Sequence, residues 1–135
     1  MSLVYMLDTN ITSAAIRGDP AVGAKLDALP QEVWCISAVT MSEHIYGLAK
    51  RPEARRLARV VHEFLQVAEV LPWDRLAADA HGQVRAELER GGVPFDHYDA
   101  MIAAHARAHG LIVVTDNERH FRRVPGLTID NWLRV

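Results

Sequence analysis

Four acids in this chain of 135 residues stand where packing alone does not ask for them: Asp8, Glu43, Asp99 and Asp116. Asp8 directly follows the apolar run "LVYML", and Asp116 follows "LIVVT". Asp99 opens "DAMIAAHARAHG", where Ile102, Ala103 and Ala106 lie at i+3, i+4 and i+7, so its carboxylate shares the apolar face of a helix. An unpaired charge on such a face is costly and calls for a partner, a proton or a metal. The bland alternative is a first-turn carboxylate facing the helix dipole. Glu43 lies off the stripe Met41, Ile45 and Leu48, so periodicity alone makes it a solvated helix acid. Carboxylates that converge repel one another unless a cation sits between them, and a hard divalent ion such as Mg²⁺ prefers oxygen ligands, waters and phosphate oxygens. No Lys, Ser or Cys of this set is placed for covalent catalysis. The chemistry that fits is metal-assisted phosphodiester hydrolysis.

The elements that must position these acids alternate. Strands are expected at 3–7, 33–37, 70–71, 111–115 and 127–129. Helices are expected at 9–17, 21–29, 39–49, from the Pro52 break to about residue 68, from Asp74 to the Gly91-Gly92 stop, and at 96–109. The long helix after Pro52 carries Leu57, Val61, Phe64, Leu65 and Ala68 on one face, and the one after Asp74 carries Leu76, Ala77, Ala80, Val84 and Leu88. The segment 116–126 reads as a loop with a helical turn. Strands separated by helices imply a parallel sheet covered on both faces, an α/β/α sandwich. Sites in such sheets form beyond the carboxyl ends of the strands, and Asp8 and Asp116 both sit there.

The totals exclude several classes. The length suits one domain over residues 1–135, with a core that needs no disulfide. Cys35 is the only cysteine and reads as a buried strand thiol between Trp34 and Ile36. No apolar run is long enough to span a bilayer and no secretory signal opens the chain, so a cytoplasmic setting is expected. A net charge of −2 means that a polyanion must meet a local basic surface rather than a basic protein.

Taken together, "MLDTN", "ISAVTMSEHIYGL", "GGVPFDHYDAMIAAHARAHGLIVVTDNERHF" and "VPGLTIDNW", in that order and over nearly the whole chain, resemble the PIN-domain ribonucleases, and most closely the VapC-type toxins of bacterial toxin–antitoxin pairs. The resemblance implies a PIN-like three-layer sandwich on a mainly parallel sheet and Mg²⁺- or Mn²⁺-dependent RNA cleavage, with transfer RNA as the leading substrate. It also implies a VapB-like antitoxin that inserts a segment near the acidic pocket, and a homodimer. It places metal-ligand acids on Asp8, Glu43 and Asp99. A fourth acidic position falls on Asn117, with Asp116 just before it. Asp96 stands where Gly is common, and either adds a carboxylate to the rim or caps the helix of Asp99.

Around the acids, Thr9 and Asn10 read as helix-capping residues that also orient Asp8, with Thr115 at the end of the strand before Asp116. Lys50 and Arg51, in "KRPEARRLAR", and Arg85 are the candidates for RNA contact. His105 and His109 have the i,i+4 spacing of a zinc pair without a third ligand, and an ordinary helix surface explains them better. Trp73 and Trp132 suit buried packing better than base stacking. Two rivals remain. A phosphatase with a nucleophilic Asp8 wants an acid two residues on, where Asn10 stands. A PIN-like module that binds RNA or protein without cutting is separated by a nuclease assay paired with metal-binding calorimetry.

Overall fold

The computed structural model describes residues 2–134. In chain order its elements are β1 (Tyr5–Leu7), α1 (Thr9–Ile16), α2 (Pro20–Ala28), a 3-10 turn (Gln31–Val33), β2 (Trp34–Ser37), α3 (Ala38–Ala49) and α4 (Arg55–Val67). They continue with β3 (Glu69–Leu71), α5 (Arg75–Arg90), α6 (His97–Ala108), β4 (Ile112–Val114), α7 (Glu118–Phe121) and β5 (Ile129–Asp130). The five strands form one sheet in the order β3-β2-β1-β4-β5, every pair parallel. No helix among the described residues is long and apolar enough to cross a membrane.

Why β1 sits at the centre is visible in its two buried side chains. Successive strand residues point to opposite faces. Met6 enters a core with Val84 and Leu88 of α5 and Ile102, Ala103 and Ala106 of α6, while Leu7 enters one with Ile11 and Ala14 of α1, Val22 of α2 and Trp132. A strand buried on both faces must be apolar throughout, and each such large side chain contributes about 1.5–3 kcal/mol by leaving water. The chain leaves α6 through Gly110 at φ +65°, a left-handed conformation that only glycine adopts at no steric cost, and enters β4 directly beside β1.

Several boundaries and faces differ from the sequence expectation. The last strand is Ile129–Asp130 rather than 127–129, because Val113 and Val114 set its register. β1 and β4 are shorter than expected; at β4 the Leu111 N–H still bonds the Ala106 carbonyl at the end of α6, and the Thr115 hydroxyl already accepts from Asn117 in the turn to α7. The stripe Met41, Ile45 and Leu48 is not the buried face of α3. Met41 and Ile45 are exposed, whereas Val39 and Thr40 are buried. Leu57 and Leu76 likewise face outward on α4 and α5. Helical spacing identifies an apolar face but not which neighbour covers it.

Candidate active site

The carboxyl ends of β2, β1 and β4 lie side by side, and the site is built there. Asp8 is the residue between β1 and α1. Its extended backbone makes it the N-cap of α1, and its carboxylate accepts from the Ile11 N–H at 2.9 Å. The cap of this helix is therefore Asp8 itself, and Thr9 and Asn10 lie inside the first turn rather than capping it. Asp8 is only 2 % exposed. Burial pushes its carboxyl up from 3.8 to about 6, with Asp116 and Glu43 adding repulsion against the lowering effect of the Thr115 hydroxyl and the Ile11 N–H.

Glu43 arrives from α3. With Val39 and Thr40 facing inward, Glu43 at i+4 and i+3 follows them, so it is half-buried rather than solvated. The Thr9 hydroxyl donates to its Oε1 at 2.6 Å, and the Thr40 hydroxyl lies 3.3 Å from Thr9. One helical turn on, Thr12 meets His44 Nε2 at 2.6 Å. Together these contacts pin α3 to α1 and fix Glu43 against Asp8. Thr9 thus holds Glu43, while Asn10 is exposed.

Asp99 enters from α6, whose inner face is Ile102, Ala103 and Ala106 as the spacing predicts. Its carboxyl is pushed up from 3.8 to about 7, first by burial and then by Asp96, Asp8 and Glu43. Asp96 is the N-cap of α6 and accepts from the Asp99 N–H at 3.0 Å, so it takes the capping role. Among the described residues, no lysine or arginine pairs with Asp8, Glu43 or Asp99. Asp8 and Asp99 each feel Glu43 and are close enough to one another for repulsion to register. A buried anionic cluster of this kind is what a divalent cation neutralises, and its oxygen donors suit a hard ion. Among the described residues no three donors already close on a single point.

The other candidates fall differently. Asp116 is exposed and accepts from Asn131 Nδ2 at 3.2 Å, and Asn117 is exposed, its N–H bonded to the Thr115 hydroxyl at 2.9 Å. Arg85 is exposed and pairs with Glu89 at 3.4 Å, not with the acids. Lys50 and Arg51 line a groove of about 550 Å³ between α1, α3 and α4, together with Glu43, Tyr46 and Leu57, and Lys50 lies 4.6 Å from the Tyr46 ring centre. His105 corrects the sequence expectation of a surface histidine: it is fully buried, with Nδ1 2.8 Å from the Ser37 hydroxyl at the end of β2. Trp132 is buried as expected, and burial pushes the Cys35 thiol up to about 12, which leaves it inert.

Two residues escape sequence reasoning. Glu118 takes Arg122 at 3.1 Å, Arg134 at 2.6 Å and Asn131 at 3.1 Å, and so joins the last turn to the C-terminal segment. His120 places Nε2 3.5 Å from Asp99 Oδ2, with its ring stacked on Phe95 at 3.7 Å and 15°. Neither carries a periodic signal, because α7 is a single turn of four residues.

Comparison with known proteins bears on this site. The family model described as PIN domain matches residues 5–127. A tRNA(fMet)-specific endonuclease VapC from Shigella flexneri is 45% identical over 130 residues, 96% of this chain and 98% of that protein. Ribonuclease VapC2 from Haemophilus influenzae is 36% identical over 131 residues, 97% of this chain and 99% of that one. Among solved structures, DNA-bound VapBC from Salmonella typhimurium superposes with a TM-score of 0.91 at 44% identity, covering 96% of this chain and 98% of that chain.

Proposed function

Because the chain belongs to the PIN-domain family, among its VapC-type ribonuclease toxins, we propose that it cuts transfer RNA at a divalent-metal site built on Asp8, Glu43 and Asp99. The observation that carries this reading is the buried Asp8 beside the half-buried Asp99 and Glu43, with no lysine or arginine paired to any of them among the described residues; burial and mutual repulsion push Asp8 up to about 6 and Asp99 to about 7. The acids fit Mg²⁺ or Mn²⁺, and Asp8, Asp99 and Glu43 are the residues that would hold the ion. When bound, the ion supplies a Lewis acid for the phosphate and for the attacking water. The chain's own part is positional. The Ile11 N–H and Thr9 hydroxyl hold Asp8 and Glu43 in place, so little reorganisation is left for the moment of reaction.

The name of the Shigella flexneri relative makes initiator tRNA the first substrate to try. Lys50 and Arg51, which line the same groove as Glu43, are the cations proposed to meet RNA phosphates, with the exposed Arg85 of α5 as a third. The solved VapBC complexes make a VapB-like antitoxin the natural partner. The groove between α1, α3 and α4, lined by Ile16, Leu48 and Val61 and by the exposed Tyr46 and Leu57, suits an apolar segment of it. A homodimer and a cytoplasmic setting complete the proposal, together with a single PIN domain over residues 1–135.

The test is cleavage of purified tRNA with Mg²⁺ or Mn²⁺, with and without EDTA, and with added antitoxin. Metal-dependent cutting that EDTA and antitoxin each abolish supports the reading. Undiminished cutting in EDTA overturns the metal site. RNA binding without hydrolysis, under conditions where metal binds, returns the assignment to a non-catalytic module.

A further inference from the structure

We propose that His120 is a nitrogen ligand of the divalent ion beside Asp99, and that it shifts the site's preference from Mg²⁺ toward Mn²⁺. The inference rests on the metal-site reading above and goes beyond its all-carboxylate form.

Geometry carries it. Two donors each about 2.1 Å from one ion in neighbouring coordination positions stand roughly 3.0–3.5 Å apart. His120 Nε2 and Asp99 Oδ2 are separated by 3.5 Å. The pair does not meet hydrogen-bond geometry, and among the described residues no N–H or O–H donates to the Asp99 carboxylate. The imidazole and the carboxylate therefore face each other with neither engaged elsewhere.

Both donors are also held. Phe121, next to His120, is fully buried and anchors α7. The imidazole stacks on Phe95, one residue before the Asp96 cap of α6, so a single short segment fixes the ring and begins the helix that carries Asp99. A ligand already locked in its rotamer loses little entropy on binding. Its side chain is 18 % exposed and that of Asp99 30 %, which leaves a path for an ion.

Chemistry then sets the preference. Carboxylates and water suit Mg²⁺ and Mn²⁺ alike, but imidazole favours the later first-row ions, and Mg²⁺ gains little from nitrogen. One histidine in an otherwise oxygen-lined site discriminates between ions that the acids alone would treat similarly. A plain His120–Asp99 ion pair is the competing explanation, and it predicts no bond from nitrogen to metal.

The experiment is Mn²⁺ binding to the full chain without RNA, followed by electron paramagnetic resonance with electron spin-echo envelope modulation. Wild type should show ¹⁴N modulation from a coordinated imidazole. His120→Phe keeps the stack on Phe95 and the shape of α7 while removing the donor. It should lose the modulation and bind Mn²⁺ about tenfold more weakly, with Mg²⁺ affinity changed less than about threefold. His120→Glu should bind Mn²⁺ without the nitrogen signal and bind Mg²⁺ more tightly than wild type, since it exchanges nitrogen for a hard oxygen donor. Thermal melts of each variant report whether α7 stays folded. Mn²⁺ that binds to wild type without nitrogen modulation, or modulation that persists in a folded His120→Phe, overturns the histidine ligand and leaves the acids standing. Failure of Mn²⁺ to bind wild type at all overturns both.

Discussion

Asp8 and Asp116 end neighbouring parallel strands, one residue and two residues past the last paired position, yet they meet opposite fates. After β1 the chain turns straight into a helix. Asp8 becomes its cap and is buried with its carboxylate fixed by the Ile11 N–H. After β4, Thr115 takes the equivalent place, and its hydroxyl binds the Asn117 N–H to make a short turn before α7. That turn carries Asp116 out to solvent, where among the described residues only Asn131 bonds it. The same residue type at adjoining strand ends is thus buried and fixed in one case and solvated in the other. The immediate helix start decides which.

The largest effect expected from this contrast is on catalysis. Asp8→Asn keeps a good helix cap but removes a charged metal donor, and Asp99→Asn does the same on α6. Each should lower single-turnover tRNA cleavage by roughly two decades or more, since losing a ligand loses the Lewis acid. Asp8→Ala should add about 1 kcal/mol of lost stability from the missing cap, read from denaturant unfolding. Full activity in both asparagine variants would contradict the assignment.

Next in size is a pH effect on the metal-free protein. The folded-state pKa values of Asp8 and Asp99, about 6 and about 7, lie above their ordinary value of 3.8. Between about pH 4 and 7 the folded chain therefore holds more protons than the unfolded one, and stability falls as pH rises through that window. For the buried Asp8 the loss is about 3 kcal/mol. Thermal melts in EDTA should show a higher Tm near pH 5 than near pH 7.5. Asp8→Asn should flatten that slope, and Mn²⁺ should restore stability at the higher pH. A Tm that climbs across the window would reverse the sign and remove the argument for buried, uncompensated carboxylates.

How much of this was legible in the residues depends on which physical signal each one carried. The parallel sheet followed from apolar runs separated by helical spacing; Asp8 stood out because it directly follows such a run, and Asp99 because its carboxylate shares an apolar helix face. Glu43 did not stand out. The visible stripe Met41, Ile45 and Leu48 is an outward face, and the true inner face contains polar Thr40. Periodicity ranks faces by hydrophobicity, so an exposed apolar face misleads it. The buried His105 was hidden for a related reason: its partner Ser37 lies 68 positions away in the chain. His120 was invisible because one turn of helix has no period, and its meaning depends on Phe95 and Asp99 from another element.

Glu43 offers an intermediate test. Thr9→Val deletes the hydroxyl that donates to Glu43 at 2.6 Å while keeping the side-chain shape. Cleavage should fall about tenfold, the lower end of what loss of a ligand-orienting contact costs. Glu43→Gln should fall further. Equal rates for Thr9→Val and wild type would mean that Glu43 needs no such support.

The smallest effect belongs to Asp116, and it bears most directly on the contrast between the two strand ends. Asp116→Asn keeps the size of the side chain and retains a carbonyl that can accept from Asn131. It removes only a solvated charge that adds to the repulsion at Asp8. Stability should change by less than about 0.5 kcal/mol, as for surface substitutions generally. Single-turnover cleavage should change less than about threefold, because an exposed charge acts on the buried acids through water and counterions. A loss as deep as that of Asp8→Asn would mean that Asp116 turns inward to the ion, and that the short turn after β4 opens when metal binds. Asn117→Ala, measured beside it, separates the two: its side chain caps nothing in α7, so it should match wild type unless the turn after β4 closes over the site.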